Sequence, residues 1–220
     1  MDEYTVTLTG LKPLLQHHDD IEWADKMDAW KNDPKNRAES KAGDDRSPAF
    51  RWIGCLYHDG ESVSVPQDNI LRAIMEGGAM VPVPGGRGGK TFKAQTQSGI
   101  FSGTTQWKLT IDGRPVPYEP IRALYGETDF SVHCALAKEL GFSLFLKRAK
   151  IGQSKHVRVR PRFERWEVSG DLFVSDKQIT QEILLEILNY AGRYKGLCDW
   201  RPGGKTPGPY GMFVATVKKQ

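Results

Sequence analysis

The chain has 220 residues, 39% hydrophobic and 26% charged, a length and apolar content that suit one elaborated domain spanning residues 1–220. No stretch approaches the ~18 apolar residues a membrane span needs, the opening MDEYTVTLTG lacks a basic leader, and Cys55, Cys134 and Cys198 are widely spaced with no CxxC or Cys-His pairing; these features exclude the membrane and zinc-module classes and predict a soluble, cytoplasmic protein with reduced thiols. The net charge of +4 divides into −5 over residues 1–62 and +9 over residues 63–220, so a polyanion is the expected partner of the larger part.

Tyr4, Val6 and Leu8 alternate with threonines, the period-2 pattern of a half-buried strand. Residues 18–50 then form a charged insertion, in which Trp23, Met27 and Trp30 recur at helical spacing and predict a short helix over 21–30 followed by a mobile loop. Residues 51–57 and 62–65 flank the turn His58-Asp59-Gly60 and predict a hairpin. Pro66 opens a helix over 67–80 with Ile70, Leu71, Ile74 and Met75 on one face. Residues 82–106 begin PVPGGRGGKTFK, a Gly-rich basic finger or thumb of a length that compact domains seldom carry without a task. A strand over 107–111, the Asp112-Gly113 turn, an extended piece through 115–124 and a helix over 129–140 follow.

From Leu144 to Val174 the text reads as β structure. Val157, Val159 and Phe163 alternate with Arg158, Arg160 and Arg162, and residues 172–174 suggest a further strand across a Ser169-Gly170 turn. Thr180 caps a helix that buries Ile183, Leu184, Ile187, Leu188 and Ala191 and ends at Gly192 or Gly196. A loop with four glycines and three prolines (197–211) precedes the last strand, 212–217. The order strand, helix, strand, strand, helix, strand is that of an α+β, ferredoxin-like (RRM-like) split βαβ core with insertions and a Gly-rich loop before the last strand.

The strongest chemical signal is the arginine strand. Side chains two apart share a face, so Arg158, Arg160 and Arg162 form a row with steps of about 6–7 Å, near the spacing of phosphates along an extended strand of nucleic acid. Lys147, Arg148, Lys150, Lys155 and Arg165 extend it, and Glu164 is the single acid against eight bases over 147–165. The competing reading is an edge strand protected from aggregation by charge. In the terminal loop, Trp200 and Tyr210 are candidates to stack on bases and Arg201 and Lys205 to neutralise phosphates, unless Trp200 is a core anchor. The run Pro84–Thr91 resembles a P-loop but has proline where that motif needs glycine and follows a helix, so Arg87, Lys90 and Lys93 read as a basic finger. His17-His18-Asp19-Asp20 carries metal-ligand chemistry, yet adjacent residues on an extended chain diverge, and the cluster reads as a polar strand end. His58, His133 and His156 have no triad spacing to a nucleophile. No catalytic residue, metal or cofactor is expected.

The run Arg158-Val-Arg160-Pro161-Arg-Phe163-Glu-Arg-Trp166, the helix ending Ala191-Gly192-Arg-Tyr194-Lys-Gly196, and Asp199-Trp200-Arg201-Pro202 with Gly208-Pro-Tyr-Gly211-Met-Phe213 resemble an uncharacterised family of phage and prophage proteins, as does the text of Leu11–His17. That family carries glycine where this chain has Cys198, and it lacks Pro209-Tyr210. A Gly-rich loop between the last helix and last strand also resembles the RAMP superfamily, in particular the backbone subunit of CRISPR effector complexes. The resemblance implies a non-catalytic subunit that binds single-stranded nucleic acid, RNA first, and assembles side by side along it as a homo-oligomer, filament or larger ribonucleoprotein. It would put Arg158, Arg160 and Arg162 on the sheet, make 82–106 the thumb and lay the 197–211 loop on the RNA backbone. The alternatives are a phage protein that coats or anneals single-stranded DNA, a self-assembling phage structural protein, and a metal-dependent nuclease using Asp19 or Asp20 with His17 or His18.

Overall fold

A computed structural model describes residues 1–37, 41, 43–151 and 154–220, and the side chains of 150, 151, 154 and 155 lie outside that description. It is a mixed α+β structure with antiparallel sheets. In chain order the elements are β1 (Asp2–Gly10), β2 (Leu14–Leu15), α1 (Ile21–Asn32), β3 (Ser64–Pro66), α2 (Gln67–Gly78), α3 (Lys93–Ser98), β4 (Ile100–Ser102), β5 (Gln106–Ile111), β6 (Arg114–Pro115) and α4 (Glu119–Arg122). Then follow α5 (Phe130–Glu139), β7 (Ser143–Ile151), β8 (Ser154–Phe163), β9 (Glu167–Val174), α6 (Gln181–Tyr190) and β10 (Phe213–Lys219). These pack as two compact units: Met1–Leu14, Ser64–Pro115 and Arg165–Gln220 form the first, Leu15–Val63 and Val116–Glu164 the second.

In the first unit the strands run β10-β1-β9-β5-β3, with β4 on β9 and β6 on β5. Alternation fixes the register. Tyr4, Val6 and Leu8 face the core with their ladder partners Leu172, Gly170 and Val168, whereas Thr5, Thr7 and Thr9 on the other face hydrogen-bond to Asp171, Ser169 and Glu167 at 2.9, 2.8 and 3.0 Å. Gly170 is therefore not a turn residue but the middle of β9. A Cβ there would lie 2.5 Å from the buried Trp107 ring, so the glycine makes room for the indole.

The α2 helix buries Ile70, Ala73, Ile74 and Gly77, while Leu71 and Met75 remain half-buried. Gly77 lets it approach α6, since a Cβ at that position would meet the Ile187 carbonyl at 2.5 Å. Thr180 caps α6 as its sequence predicts, accepting from the Ile183 N–H, and Leu184, Ile187 and Leu188 are buried. The helix also seals the outer edge of β10: the Ala215 N–H donates to the Asn189 side chain at 3.2 Å, and the Gln181 side chain donates to the Val217 carbonyl at 3.0 Å. Edge groups satisfied in this way cannot template another strand.

The second unit holds the β7–β8 hairpin. The predicted helix over 21–30 is α1, whose Trp23 and Met27 are buried. The hairpin predicted over 51–65 is not formed as such: residues 49–55 wind into a 3₁₀ helix, leaving a single His58–Val63 bridge around the turn. Phe50 and Trp52 imitate strand alternation in sequence, but Ala49 and Ile53 are buried beside them, and consecutive buried residues break the period of two that a half-buried strand requires. Trp52 packs against Phe142 (ring centroids 5.9 Å) and Phe50 against Trp23 (6.4 Å); burying each such side chain contributes about 1.5–3 kcal/mol. The extended piece expected through 115–124 stops at Pro115 and gives way to α4.

Trp52 Nε1–H also donates to Nδ1 of the buried His133 at 3.2 Å, which leaves His133 Nε2 to donate to the Glu127 carbonyl at 3.0 Å. Burial pushes the pKa of His133 down, and that of His58 likewise, there against the pull of Asp20. A histidine held neutral contributes stability that is complete above its unfolded pKa of about 6.5 and is lost as pH falls below it, because the unfolded chain then binds more protons. Thermal unfolding temperature is expected to fall between about pH 7 and pH 5, before the carboxylates titrate, and His133→Gln to flatten that slope. A wild-type profile flat over this range would refute it.

Candidate nucleic-acid interface

The arginine row exists as a row. Alternation along β8 places Arg158, Arg160 and Arg162 on one face of the hairpin, opposite Lys147, Phe145 and Ser143 of β7. Arg148 pairs with Val157 and so lies on the opposite face from the arginines. Lys147 and Arg148 are both exposed. The side chains of Lys150 and Lys155 lie outside the described residues.

The row is not a bare cationic strip, because one buried carboxylate organises it. Asp45, 3% exposed, accepts from Arg158 Nη1 at 3.0 Å and from Arg160 Nη1 at 3.4 Å, and Arg51 Nε lies 3.5 Å from it. Its position is fixed through the backbone: the Asp45 N–H donates to the Val157 carbonyl at 3.0 Å, and the Val159 N–H donates to Asp45 Oδ2 at 3.3 Å. Such a carboxylate is tolerated in an apolar setting only because its lone pairs are filled. Arg162 pairs with Glu164 at 2.7 Å and lies over the Phe145 ring at 5.2 Å.

Arg160 is the most enclosed of the three, its side chain 14% exposed. Its Nη2 lies 3.0 Å from His17 Nε2, and since a guanidinium can only donate, the imidazole accepts there. The same guanidinium approaches Cys55 Sγ at 3.7 Å. The His17–Asp20 run is thereby brought to the arginines, an association no local pattern announces. Asp20 caps α1 through Oδ1, which accepts the Trp23 N–H at 3.1 Å; its Oδ2 lies 3.9 Å from His18 Nδ1 and 3.7 Å from His58 Nε2. Among the described residues no group of three or more His, Cys, Asp or Glu side chains is arranged to hold a metal ion. His17 to Asp20, Asp45, Arg51, Arg158 and Arg160 line a cleft of about 190 Å³ together with Trp52, Gly54 and Val159.

The remaining predicted residues belong to the first unit. Arg87 and Lys90 are exposed on a loop whose base is tied by Val83 N–H to the Lys90 carbonyl (2.9 Å) and Phe92 N–H to the Val81 carbonyl (3.0 Å), with Phe92 buried; Lys93, also exposed, is not on that loop but opens α3. Lys205 is exposed too. Arg201 instead forms a bidentate pair with Glu76 at 2.6 and 3.0 Å. Burial alone would raise the Glu76 carboxyl, but Arg201 and Arg72 together hold it below the usual range. Trp200 and Tyr210 pack on each other with ring centroids 5.3 Å apart, and Trp200 Nε1–H donates to the Pro207 carbonyl at 3.2 Å. Burial pushes the Cys198 thiol up to about 12, so it stays protonated.

Sequence reasoning missed Arg51 and Asp45. The sequence pattern places Arg51 in a strand and makes Asp45 one acid among many in the charged insertion; the partners of Asp45 on β8 lie 113 and 115 residues away along the chain. No protein family model and no curated protein matches this chain. Among the described residues no helix is long and apolar enough to cross a membrane.

Proposed function

We propose that the protein is a non-catalytic subunit that binds single-stranded nucleic acid, RNA in preference to DNA, and assembles side by side along it in the manner of the RAMP backbone subunits it resembles. The observation that carries the reading is the arginine row of β8 with Lys147 directly across the ladder from Arg158. Arg158, 31% exposed, stands beside the exposed Lys147, so the two can meet one phosphate together, and backbone contacts of this kind dominate affinity.

Two further features support the family reading. The strand order β10-β1-β9-β5, joined through α2 and α6, is the order expected of a ferredoxin-like core. Cys198, where the phage family carries glycine, has φ +59°, in the left-handed region that favours glycine.

Fluorescence anisotropy with matched single-stranded RNA and DNA oligonucleotides tests the proposal. Affinity is expected to fall steeply with salt, log K declining by about 0.7 per phosphate contact for each unit of log salt. Arg158→Gln should reduce that slope by close to one contact, and RNA should bind more tightly if the 2′-OH is read. Binding weaker than micromolar to every oligonucleotide at low salt would end the reading.

A further inference from the structure

We infer that the groove on the outer face of α6 receives the Gly-rich loop of a second copy of this chain, with Arg87 as its anchor. The inference rests on the side-by-side assembly proposed above and names the two surfaces that make it.

The groove has a volume of about 530 Å³ and lies wholly in the first unit, lined by α6, by the π-helical turn Ala191–Lys195 that prolongs it and by the exposed Val214 of β10. Tyr190 and Tyr194 face each other along it with ring centroids 5.7 Å apart, and Tyr194 is 48% exposed. Three charged side chains line it, Glu182 and Glu186 against Arg193, which leaves an excess of one negative charge. The Thr180 hydroxyl donates to Glu182 at 2.7 Å, whereas among the described residues no hydrogen bond or ion pair engages Glu186. Two tyrosine rings beside a carboxylate suit a guanidinium, which stacks on an aromatic face while its edge donates to the acceptor.

The chain itself carries a segment of matching chemistry. From Gly77 to Ile111 it has no acid, and the loop between Val83 and Lys90 presents Arg87 and Lys90, both exposed. That loop is tied at its base, and Cβ atoms at Gly85, Gly88 and Gly89 would meet nothing within 4 Å, so its tip stands clear of the surface. Among the described residues Arg87 has no hydrogen bond, ion pair or ring contact. The loop contributes no residue to the groove of its own chain, so the Arg87 that enters it comes from another copy. Loop and groove are different surfaces, and a contact between unlike surfaces repeats from one copy to the next, with charge complementarity fixing which surfaces meet.

The experiment is sedimentation velocity of the full chain over a range of concentrations at low salt, with and without a single-stranded oligonucleotide. It compares wild type with Arg87→Glu, with Glu186→Arg and with the double variant that exchanges the two charges; circular dichroism reports folding, which neither exposed side chain should affect. Each single variant is expected to weaken self-association about tenfold, the effect of one lost charge-assisted contact. The double variant should recover most of that loss, because only a direct pairing responds to the exchange. Single variants that associate as wild type does overturn the docking while the assembly reading stands, and so does a loss in both singles without recovery in the double. A chain that stays monomeric at every concentration, with and without oligonucleotide, ends both. If Arg87→Glu lowers oligonucleotide affinity and leaves self-association unchanged, the loop meets nucleic acid and the groove is not its seat.

Discussion

Asp45→Ala is expected to cost the fold about 3–5 kcal/mol, the usual penalty for removing one partner from a buried ion cluster. Three guanidiniums converge on this carboxylate, and Arg160, with 14% of its side chain exposed, has little access to water once the carboxylate is gone. The substitution also removes the acceptor of the Val159 N–H. Both losses fall on β8, so the arginine row should lose its order along with the stability. The measurement is chemical denaturation, read as a drop in midpoint at unchanged slope. A physical check accompanies it: in the Asp45→Ala background, Arg160→Met should recover part of the loss, because it removes an uncompensated charge and keeps the packing. A loss under about 1 kcal/mol, or no recovery in the double variant, would show that Asp45 is merely a surface partner.

That prediction depends on a residue invisible to pattern reading, and the reason is general. Periodicity found β1, α2 and α6 because each buries one face set by local spacing, and Thr180 and Asp112-Gly113 were found because caps and tight turns are local chemistry; Asp112 and Gly113 indeed adopt φ +51° and +76°. Where the determinant is distant, the sequence misleads. Gly170 looks like a turn until Trp107 is known to lie above it, and Phe50-Arg51-Trp52 looks like a strand until both flanks prove buried. The candidate site divides in the same way. Arg158, Arg160 and Arg162 share a face because strand alternation requires it. Glu164, two residues on, is a local partner for Arg162, but the neutralisation of Arg158 and Arg160 is not legible, since Asp45 and His17 come from elsewhere in the chain.

The arginines of this protein consequently differ in what they are available to do. Arg201 looked as exposed in sequence as Lys205, but its guanidinium is spent on Glu76, so it holds the Gly-Pro loop to α2 rather than awaiting a phosphate. Arg160 is occupied by Asp45 and His17. Arg158 gives Asp45 one nitrogen and keeps its other donors, and it is the arginine of the row on which nucleic-acid binding should depend. Counting basic residues along the chain overstates the interface, because an arginine that organises a neighbour cannot also neutralise a ligand at full strength.

The second large effect concerns Gly192→Ala, expected to destabilise the first unit by about 3 kcal/mol or more, at the upper end of overpacking penalties. The sequence marks Gly192 and Gly196 alike as possible helix stops. Gly196, at φ +69°, ends the π-helical turn Ala191–Lys195, whereas Gly192 lies inside that turn and serves a different purpose. A Cβ there would stand 2.1 Å from the carbonyl oxygen of Phe213 and 2.8 Å from its carbonyl carbon. Those are backbone atoms at the first residue of β10, so no side-chain rotation relieves the clash. Either the end of α6 lifts away or β10 shifts, and the second would disturb the seven register pairs it makes with β1. Gly113→Ala supplies the contrast. Its Cβ would meet nothing within 4 Å, so its cost is only the left-handed backbone at φ +76°, about 1–2 kcal/mol. Chemical denaturation of the two variants separates steric from conformational loss; equal losses would mean that the α6–β10 approach is looser than the 2.1 Å separation implies.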